Sequence, residues 1–104
     1  MKREIVWTWA AEADLLSHYS RFEDMRAGRG DQLLRELDAA GDLLCQFPLM
    51  APIWNGRVRR LVIQRAHLGL FYSPEAGRVV VLAVADLRQD PKTLWREIQG
   101  RLPK

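Results

Sequence analysis

The most reactive side chains in this sequence belong to two histidines and one cysteine, which lie far apart in the chain. They are too few for a standard structural zinc site, which takes four such ligands. Cys45 follows Leu44 on the flank of an apolar helical stripe, which favours a small core hydrophobe over a nucleophile. Adjacent helical residues diverge, so His18 and Ser17 form no base–nucleophile pair. His67 is interpreted as a surface group, with a general base as the alternative.

Arginine is the other residue type whose distribution suggests a function. Residues 1–55 contain six Lys/Arg and nine Asp/Glu, a net charge of −3, whereas residues 56–104 contain ten and four, a net charge of +6. The basic half predicts an acidic partner, either nucleic acid or an acidic protein segment; a solvated surface without a partner is the alternative. The arginines concerned are Arg57, Arg59, Arg60, Arg65, Arg78 and Arg88. We predict no catalytic residues, no metal site and no cofactor.

Three apolar runs predict the framework on which these arginines lie. Residues 58–64, 68–72 and 79–86 are rich in β-branched and aromatic residues and are separated by short turn-type breaks, a pattern typical of an antiparallel meander. The third run is apolar at seven consecutive positions, which predicts a central strand covered on both faces. Alternation places Arg59 and Arg60 on opposite faces, so one of them must share a face with core residues.

Helical periodicity predicts two helices before the meander. A short strand over residues 4–7 is expected to pair with the third run, and Thr8 then offers an N-cap to a helix ending near Met25. A second helix is expected from Asp31 to about Phe47. Gly41 in its interior predicts a close approach to an aromatic side chain of the first helix. The two helices form an antiparallel hairpin across the sheet.

The remaining segments complete a single α+β domain over residues 1–104. Two prolines make residues 48–54 an apolar connector, and Asp90 followed by Pro91 predicts a short C-terminal helix to about Arg101. The expected fold is a helix hairpin on a mainly antiparallel four-stranded sheet. A single cysteine and the lack of any apolar run long enough to cross a bilayer predict a cytoplasmic protein.

Four motifs occur in a recognisable order along this framework. They are Trp-Ala-Ala-Glu-Ala-Asp-Leu at 9–15, Val-Arg-Arg-Leu at 58–61, Leu-Phe-Tyr at 70–72, and the apolar run 79–84 followed by Asp-Leu-Arg-Gln-Asp-Pro at 86–91. With the order of elements, they resemble the RelE/ParE superfamily of bacterial toxins from type II toxin–antitoxin pairs over nearly the whole chain. This resemblance implies the α+β fold described above.

The resemblance favours one branch of the superfamily. RelE-like members cleave messenger RNA on the ribosome and carry an arginine before the middle strand core and a tyrosine in the C-terminal segment. Here Gly69 takes the first position and Thr93 and Trp95 occupy the second region, whereas Arg88 does match. RNA cleavage needs a group that activates the 2′-hydroxyl and cations that stabilise the phosphorane. The ParE-like, plasmid-stabilisation branch is therefore favoured, although Ala85-Asp86 stands where its members often have histidine.

The ParE-like branch implies a non-enzymatic toxin that inhibits DNA gyrase and is neutralised by a cognate ParD-like antitoxin. The residues expected to face the target are Arg60, Arg65, Arg88 and Trp95. Those expected to bind the antitoxin are Ile53, Trp54, Arg57 and Arg59, which combine apolar anchors with cations for an acidic segment. Trp54 has an alternative interpretation as a core residue that closes the end of the sheet.

Two other functions stay open at this point. One is a ribosome-dependent endoribonuclease, and the other is a degenerate toxin that survives only as an antitoxin-binding module. Neither a membrane partner nor sequence-specific DNA binding by this chain alone is expected. A base, an acid and several cations tightly clustered in one nucleotide-sized cleft would contradict binding without catalysis.

Overall fold

A computed structural model of the chain describes residues 2–103. A five-stranded sheet lies between a helix hairpin on one face and a short helix on the other. In chain order the elements are β1 (Glu4–Trp7), α1 (Trp9–Met25), α2 (Arg29–Gln46), β2 (Ile53–Asn55), β3 (Val58–Ile63), β4 (Leu68–Glu75), β5 (Arg78–Asp86) and α3 (Pro91–Gln99). The predicted α+β class and the predicted order of strand, hairpin, meander and helix are confirmed. None of the helices among these residues is long and apolar enough to span a membrane.

The sheet has the order β1-β5-β4-β3-β2, with β1 parallel to β5 and every other pair antiparallel. The predicted pairing of the first strand with the third apolar run is therefore confirmed. Residues 79–85 of β5 are all buried, as expected of a central strand that carries a core on each face. From Val79 to Leu82 successive residues belong to different cores: Val79 and Val81 face the helix hairpin, and Val80 and Leu82 face α3. Ala83 also faces α3, because the register with β4 shifts at this point.

The prediction of four strands is wrong by one, because β2 forms inside the apolar connector. Two prolines exclude a helix there, but they leave Ile53 and the residues after it free to pair with β3. A two-residue turn at Gly56-Arg57 joins the two strands, and Gly56 has a φ of +55°. Glycine takes that conformation without steric cost. The sheet therefore ends in a short edge strand beside the basic β3.

The helix hairpin is closed by contacts at its tight end. Glu23 accepts hydrogen bonds from the Gly28 and Gly30 backbone N–H groups at 2.9 Å each, and Tyr19 donates to Asp31 at 2.9 Å. The second helix therefore begins at Arg29, two residues before the predicted start. A Cβ atom on Gly30 would lie 2.8 Å from the Tyr19 ring. Gly30 is thus the residue that lets the two helices approach.

Gly41 plays a different role from the predicted one. A Cβ atom on Gly41 would lie 2.8 Å from the Cδ1 atom of Ile5, so Gly41 lets β1 approach α2, and no aromatic side chain of α1 lies there.

The C-terminal helix starts as predicted, because the Asp90 carboxylate accepts from the Thr93 N–H at 3.0 Å and Pro91 lies in the first turn. It ends at Gln99, before the predicted Arg101.

Where β1 ends, Thr8 and residues of α1 take the place of a strand partner for β5. Thr8 donates its N–H and its hydroxyl to the Val81 carbonyl, at 3.1 and 3.0 Å, and its hydroxyl oxygen also caps α1. One turn and a half further on, the Asp14 carboxylate accepts from the Val84 N–H at 3.1 Å. These bonds satisfy β5 backbone groups that would otherwise lack partners. They also fix the position of α1 along β5.

Two further side chains complete this polar edge. Arg101 donates to the Leu82 carbonyl at 2.9 Å and to the Asp14 carboxylate at 2.8 Å, which ties the C-terminal segment to α1. The His18 Nε2 donates to the Val84 carbonyl at 2.9 Å. Since a carbonyl oxygen only accepts, this bond places the proton of a neutral His18 on Nε2 and leaves Nδ1 as an acceptor.

Candidate functional site

The candidate site is a cleft of about 310 Å³ between the tight end of the helix hairpin and the carboxyl end of β5. Four of its lining residues are arginines, and a histidine and an aspartate lie among them. The lining residues are Arg21, Phe22, Met25, Arg29, Arg65, Ala66, His67, Asp86 and Arg88. We call this site the arginine cleft. Its volume is at the lower end of the range of roughly 300–1,000 Å³ found for ligand pockets.

Arg88 is held in the cleft by Asp86. Its Nε and a terminal nitrogen donate to the Asp86 carboxylate at 3.0 and 2.9 Å, and its backbone N–H donates at 2.8 Å. The side-chain hydrogen bond from Arg88, followed by the backbone one, holds the pKa of Asp86 well below its usual range. Asp86 is therefore a carboxylate that orients Arg88 and is not a proton donor at neutral pH. The Arg88 side chain remains 82% exposed.

The helical side of the cleft is organised around Phe22. This ring is buried beneath two guanidinium groups, those of Arg21 and Arg29, whose central carbons lie 5.0 and 5.1 Å from the ring centroid. Cation–π attraction favours both placements. Arg21 also donates to the free Nδ1 of His18 at 2.9 Å. Because His18 is bonded to the Val84 carbonyl, this contact fixes Arg21 relative to β5.

Arg65 and His67 enter the cleft from the turn between β3 and β4. A short 3-10 turn, Gln64–Ala66, carries Arg65, and His67 follows in the left-handed conformation with a φ of 54°. Both side chains are exposed, and among residues 2–103 the His67 ring has no hydrogen-bond partner. His67 is thus a surface group, as interpreted from the sequence, although it does face the arginine cleft.

The cleft contains a base, an acid and several cations, which is the composition expected of a catalytic site. The arrangement differs from a catalytic one in two respects. Asp86 is engaged by Arg88 with both oxygens, and His67 is not oriented by another side chain within the described residues. The arginines can bind and stabilise a phosphate, but an activated base or acid is not assembled around them.

The four predicted target-facing residues divide into two groups. Arg65 and Arg88 line the arginine cleft, whereas Arg60 and Trp95 lie on the sheet face covered by α3. The stem of Arg60 lies over Gly69, 3.2 Å from where a Cβ atom would be. Trp95 packs near Trp54, with ring centroids 5.9 Å apart. No single surface therefore contains all four residues.

The predicted antitoxin-binding residues surround the β2 edge strand. Ile53 is 62% exposed, whereas Trp54 is half-buried and contacts Phe71 edge-to-face at 4.8 Å, as the core interpretation of Trp54 expected. Arg59 donates to the Ala51 and Leu49 carbonyls at 2.7 and 3.2 Å and so braces the connector. Arg57, the other arginine predicted to bind the antitoxin, has its Nε 3.9 Å from a carboxylate oxygen of Glu75 and donates to the Pro103 carbonyl.

Exposed apolar side chains extend this surface beyond the predicted residues. We call the set the edge patch; its members are Phe47, Leu49, Met50 and Ile53, between 46% and 62% exposed. Clusters of exposed apolar residues of this kind commonly mark interaction sites. Helical spacing predicts that Phe47 is buried with the apolar face of α2, but Phe47 is the C-cap residue of that helix and is 57% exposed.

Comparison with known proteins identifies the family to which the chain belongs. A family model described as ParE toxin of type II toxin–antitoxin system, parDE, matches residues 5–91. The chain belongs to the ParE toxin family. The match runs from β1 to the first residue of α3, so it includes the arginine cleft and the edge patch but not Trp95. No curated protein matches the sequence.

A solved structure supports the fold of this ParE toxin. A chain in the structure of the chromosomal ParDE toxin–antitoxin system from P. aeruginosa superposes with a TM-score of 0.72 and 17% sequence identity. The alignment covers 82% of this chain and 96% of that chain. At this identity the likeness concerns the fold alone.

The chemistry available to the toxin follows from its side chains. Within residues 2–103, no group of three His, Cys, Asp or Glu side chains is arranged to hold a metal ion. Cys45 is buried in α2, and burial raises the pKa of its thiol, so Cys45 serves as a small hydrophobe. The functional groups that remain are the guanidinium groups of the arginine cleft and the apolar side chains of the edge patch.

Proposed function

We propose that this toxin acts by binding DNA gyrase and inhibiting it, with no bond-breaking step of its own. Membership of the ParE family supports the target, and one observation in the cleft supports binding over catalysis. Asp86, the only carboxylate among the cleft residues, is held as an anion by three hydrogen bonds from Arg88. A group with its pKa lowered in this way is a poor general acid at neutral pH. Because gyrase acts on chromosomal DNA, the proposal places the toxin in the cytoplasm.

Arg88→Ala is expected to raise the toxin concentration needed for half-inhibition of gyrase supercoiling by about tenfold, the effect of losing roughly 1.4 kcal/mol at an interface. The substitution removes an exposed guanidinium and leaves Asp86 as an unpaired anion in the cleft. A supercoiling assay with purified gyrase measures the change. The matched control is Arg78→Ala, since Arg78 is exposed at the opposite end of β5. Equal inhibition by wild type and Arg88→Ala would exclude Arg88 from the target surface.

Ribosome-dependent cleavage of messenger RNA is the second candidate, and one observation favours it: His67 shares the cleft with four arginines. A translating extract separates the two functions. Loss of message that is abolished by His67→Gln, with supercoiling unaffected, would replace gyrase inhibition by RNA cleavage. Harmless overexpression without the neighbouring gene would instead indicate a degenerate module that only binds antitoxin.

We further propose that a cognate ParD-like antitoxin docks on the edge patch and on β2, forming a hetero-oligomer. Edge strands offer unpaired backbone groups to an added segment, and the exposed apolar residues supply anchors. Arg57 remains about half exposed and offers a cation to an acidic segment. The contacts of Arg59 with the connector support an indirect role, in which Arg59 shapes the surface.

Ile53→Asp is expected to weaken antitoxin binding at least tenfold, because it places a carboxylate at an apolar anchor. Calorimetric titration with the antitoxin encoded beside this gene measures the affinity. Leu16→Asp is the matched control: it makes the same change at an exposed residue of α1, outside the edge patch. If both substitutions weaken binding equally, the antitoxin does not dock specifically on the edge patch.

A further inference from the structure

The arginine cleft concentrates more positive charge than its own residues neutralise. Four guanidinium groups face one carboxylate, so the lining has a net charge of +3 with His67 neutral. Asp86 pairs with Arg88, and within residues 2–103 no salt bridge involves Arg21, Arg29 or Arg65. Like charges gathered in a small cleft repel one another, so an anion bound among them would relieve that repulsion.

Three of the four arginines are also held in position by contacts within the protein. Two of them lie over the Phe22 ring, and Arg88 is oriented by Asp86. An immobilised arginine loses less conformational entropy on binding than a freely rotating one. The carboxylate of Glu23, on the neighbouring turn of α1, is already occupied by two backbone N–H groups. Within residues 2–103, Glu23 forms no salt bridge with any of the four guanidinium groups.

The four arginines approach from different elements. Arg21 comes from α1, Arg29 from the start of α2, Arg65 from the turn before β4 and Arg88 from the loop after β5. They therefore bring positive charge to the cleft from four separate segments of the chain. Each guanidinium can donate two parallel hydrogen bonds, a geometry that suits the oxygens of a phosphate.

Met25 adds an apolar side chain to the four arginines of the cleft. It lines the cleft beside Phe22 and is 65% exposed, with its flexible thioether available to a flat ring. A ligand that offers both an anionic group and a planar base would use the arginines and Met25 together. The cleft volume of about 310 Å³ is enough for one such unit.

We propose that the arginine cleft is a binding site for single-stranded nucleic acid, in which the guanidinium groups hold backbone phosphates and one nucleotide lies against Met25. Nucleic-acid interfaces are much more positively charged than protein–protein interfaces, whose centres are depleted of charged residues. The edge patch is apolar, whereas four guanidinium groups line the arginine cleft. The inference depends on the charge and geometry of the cleft and is independent of gyrase as the target.

Binding of a short fluorescein-labelled DNA strand, and of RNA with the same sequence, tests the proposal by fluorescence anisotropy. With about three phosphates contacted, affinity should fall about 20-fold between 50 and 200 mM salt, since each contact on a single strand contributes roughly −0.7 to the slope of log K against log salt. Arg29→Ala and Arg65→Ala should each make that slope shallower by about 0.7. Arg78→Ala, which removes the same charge outside the cleft, should leave the slope unchanged.

The outcomes separate this site from the alternatives. Equal binding of DNA and RNA supports recognition through phosphate, and tighter binding of RNA supports it with a further contact to the 2′-hydroxyl. Shortening of the RNA during the assay would keep the site but overturn gyrase inhibition without catalysis. Two results would overturn the site itself: equal losses in Arg65→Ala and Arg78→Ala, or an oligoglutamate peptide that binds as tightly as the oligonucleotides.

Discussion

Replacing Phe71 with alanine is expected to lower the free energy of unfolding by about 3–5 kcal/mol. Phe71 is 1% exposed at the centre of the core between the sheet and α3. Its ring contacts Trp54 edge-to-face at 4.8 Å, and Trp54 in turn contacts Trp95 at 5.9 Å. Alanine would remove the apolar surface of the ring and leave a cavity beside Trp54. Since a domain of this kind is stable by only about 5–15 kcal/mol, the loss is a large share of the total.

Urea unfolding followed by tryptophan fluorescence measures the effect of Phe71→Ala, and Phe47→Ala is its control. Phe47 is 57% exposed, so truncating it should change stability by no more than about 0.5 kcal/mol. Phe71→Leu keeps most of the volume and should cost less than Phe71→Ala, typically below about 1.5 kcal/mol. Similar losses for Phe47→Ala and Phe71→Ala would show that the aromatic cluster does not stabilise the fold.

The helices and the central strand could be predicted from the sequence because each has a long, consistent pattern. The seven apolar residues 79–85 are buried on both faces of the sheet, and Asp90-Pro91 does begin a helix. The strand β2 escaped prediction because three residues after a proline give too short an alternation. The Asn55-Gly56 dipeptide was the signal available, since that pair marks tight hairpin turns.

The candidate site could be predicted only in part, because it forms where distant segments converge. Arg65 and Arg88 stood out at the ends of predicted strands. Arg21 and Arg29 belong to the half of the chain with a net negative charge, where charge counting gives no reason to select them. Their place in the cleft depends on how the helix hairpin meets the end of β5, and on the Phe22 ring over which both lie.

A second large loss of stability is expected from Asp14→Ala, about 2–3 kcal/mol. The Asp14 carboxylate accepts from the Val84 N–H at 3.1 Å and from Arg101 at 2.8 Å, so alanine leaves a backbone donor and a guanidinium without their acceptor. The Asp14 and Arg101 side chains are 25% and 21% exposed. Water can partly solvate the abandoned groups, which keeps the expected loss below that of a fully buried pair.

Thermal unfolding measures this loss, with each kcal/mol corresponding to about 4–8 °C in Tm for a domain of this size. Glu12→Ala is the matched control, because Glu12 is exposed on the same helix and its removal changes the charge equally. In a double-mutant cycle with Arg101→Ala, the two substitutions should couple by about 1 kcal/mol or more. Strict additivity would mean that the Val84 backbone bond alone accounts for the effect of Asp14.

The same substitution connects stability to the arginine cleft. Asp14 and His18 both bind Val84 of β5, and His18 accepts a hydrogen bond from Arg21 in the cleft. If Asp14 fixes α1 along β5, its loss should displace Arg21, and oligonucleotide affinity should fall at temperatures where Asp14→Ala is still folded. Unchanged affinity in the folded variant would show that His18 alone is sufficient to hold Arg21 in place.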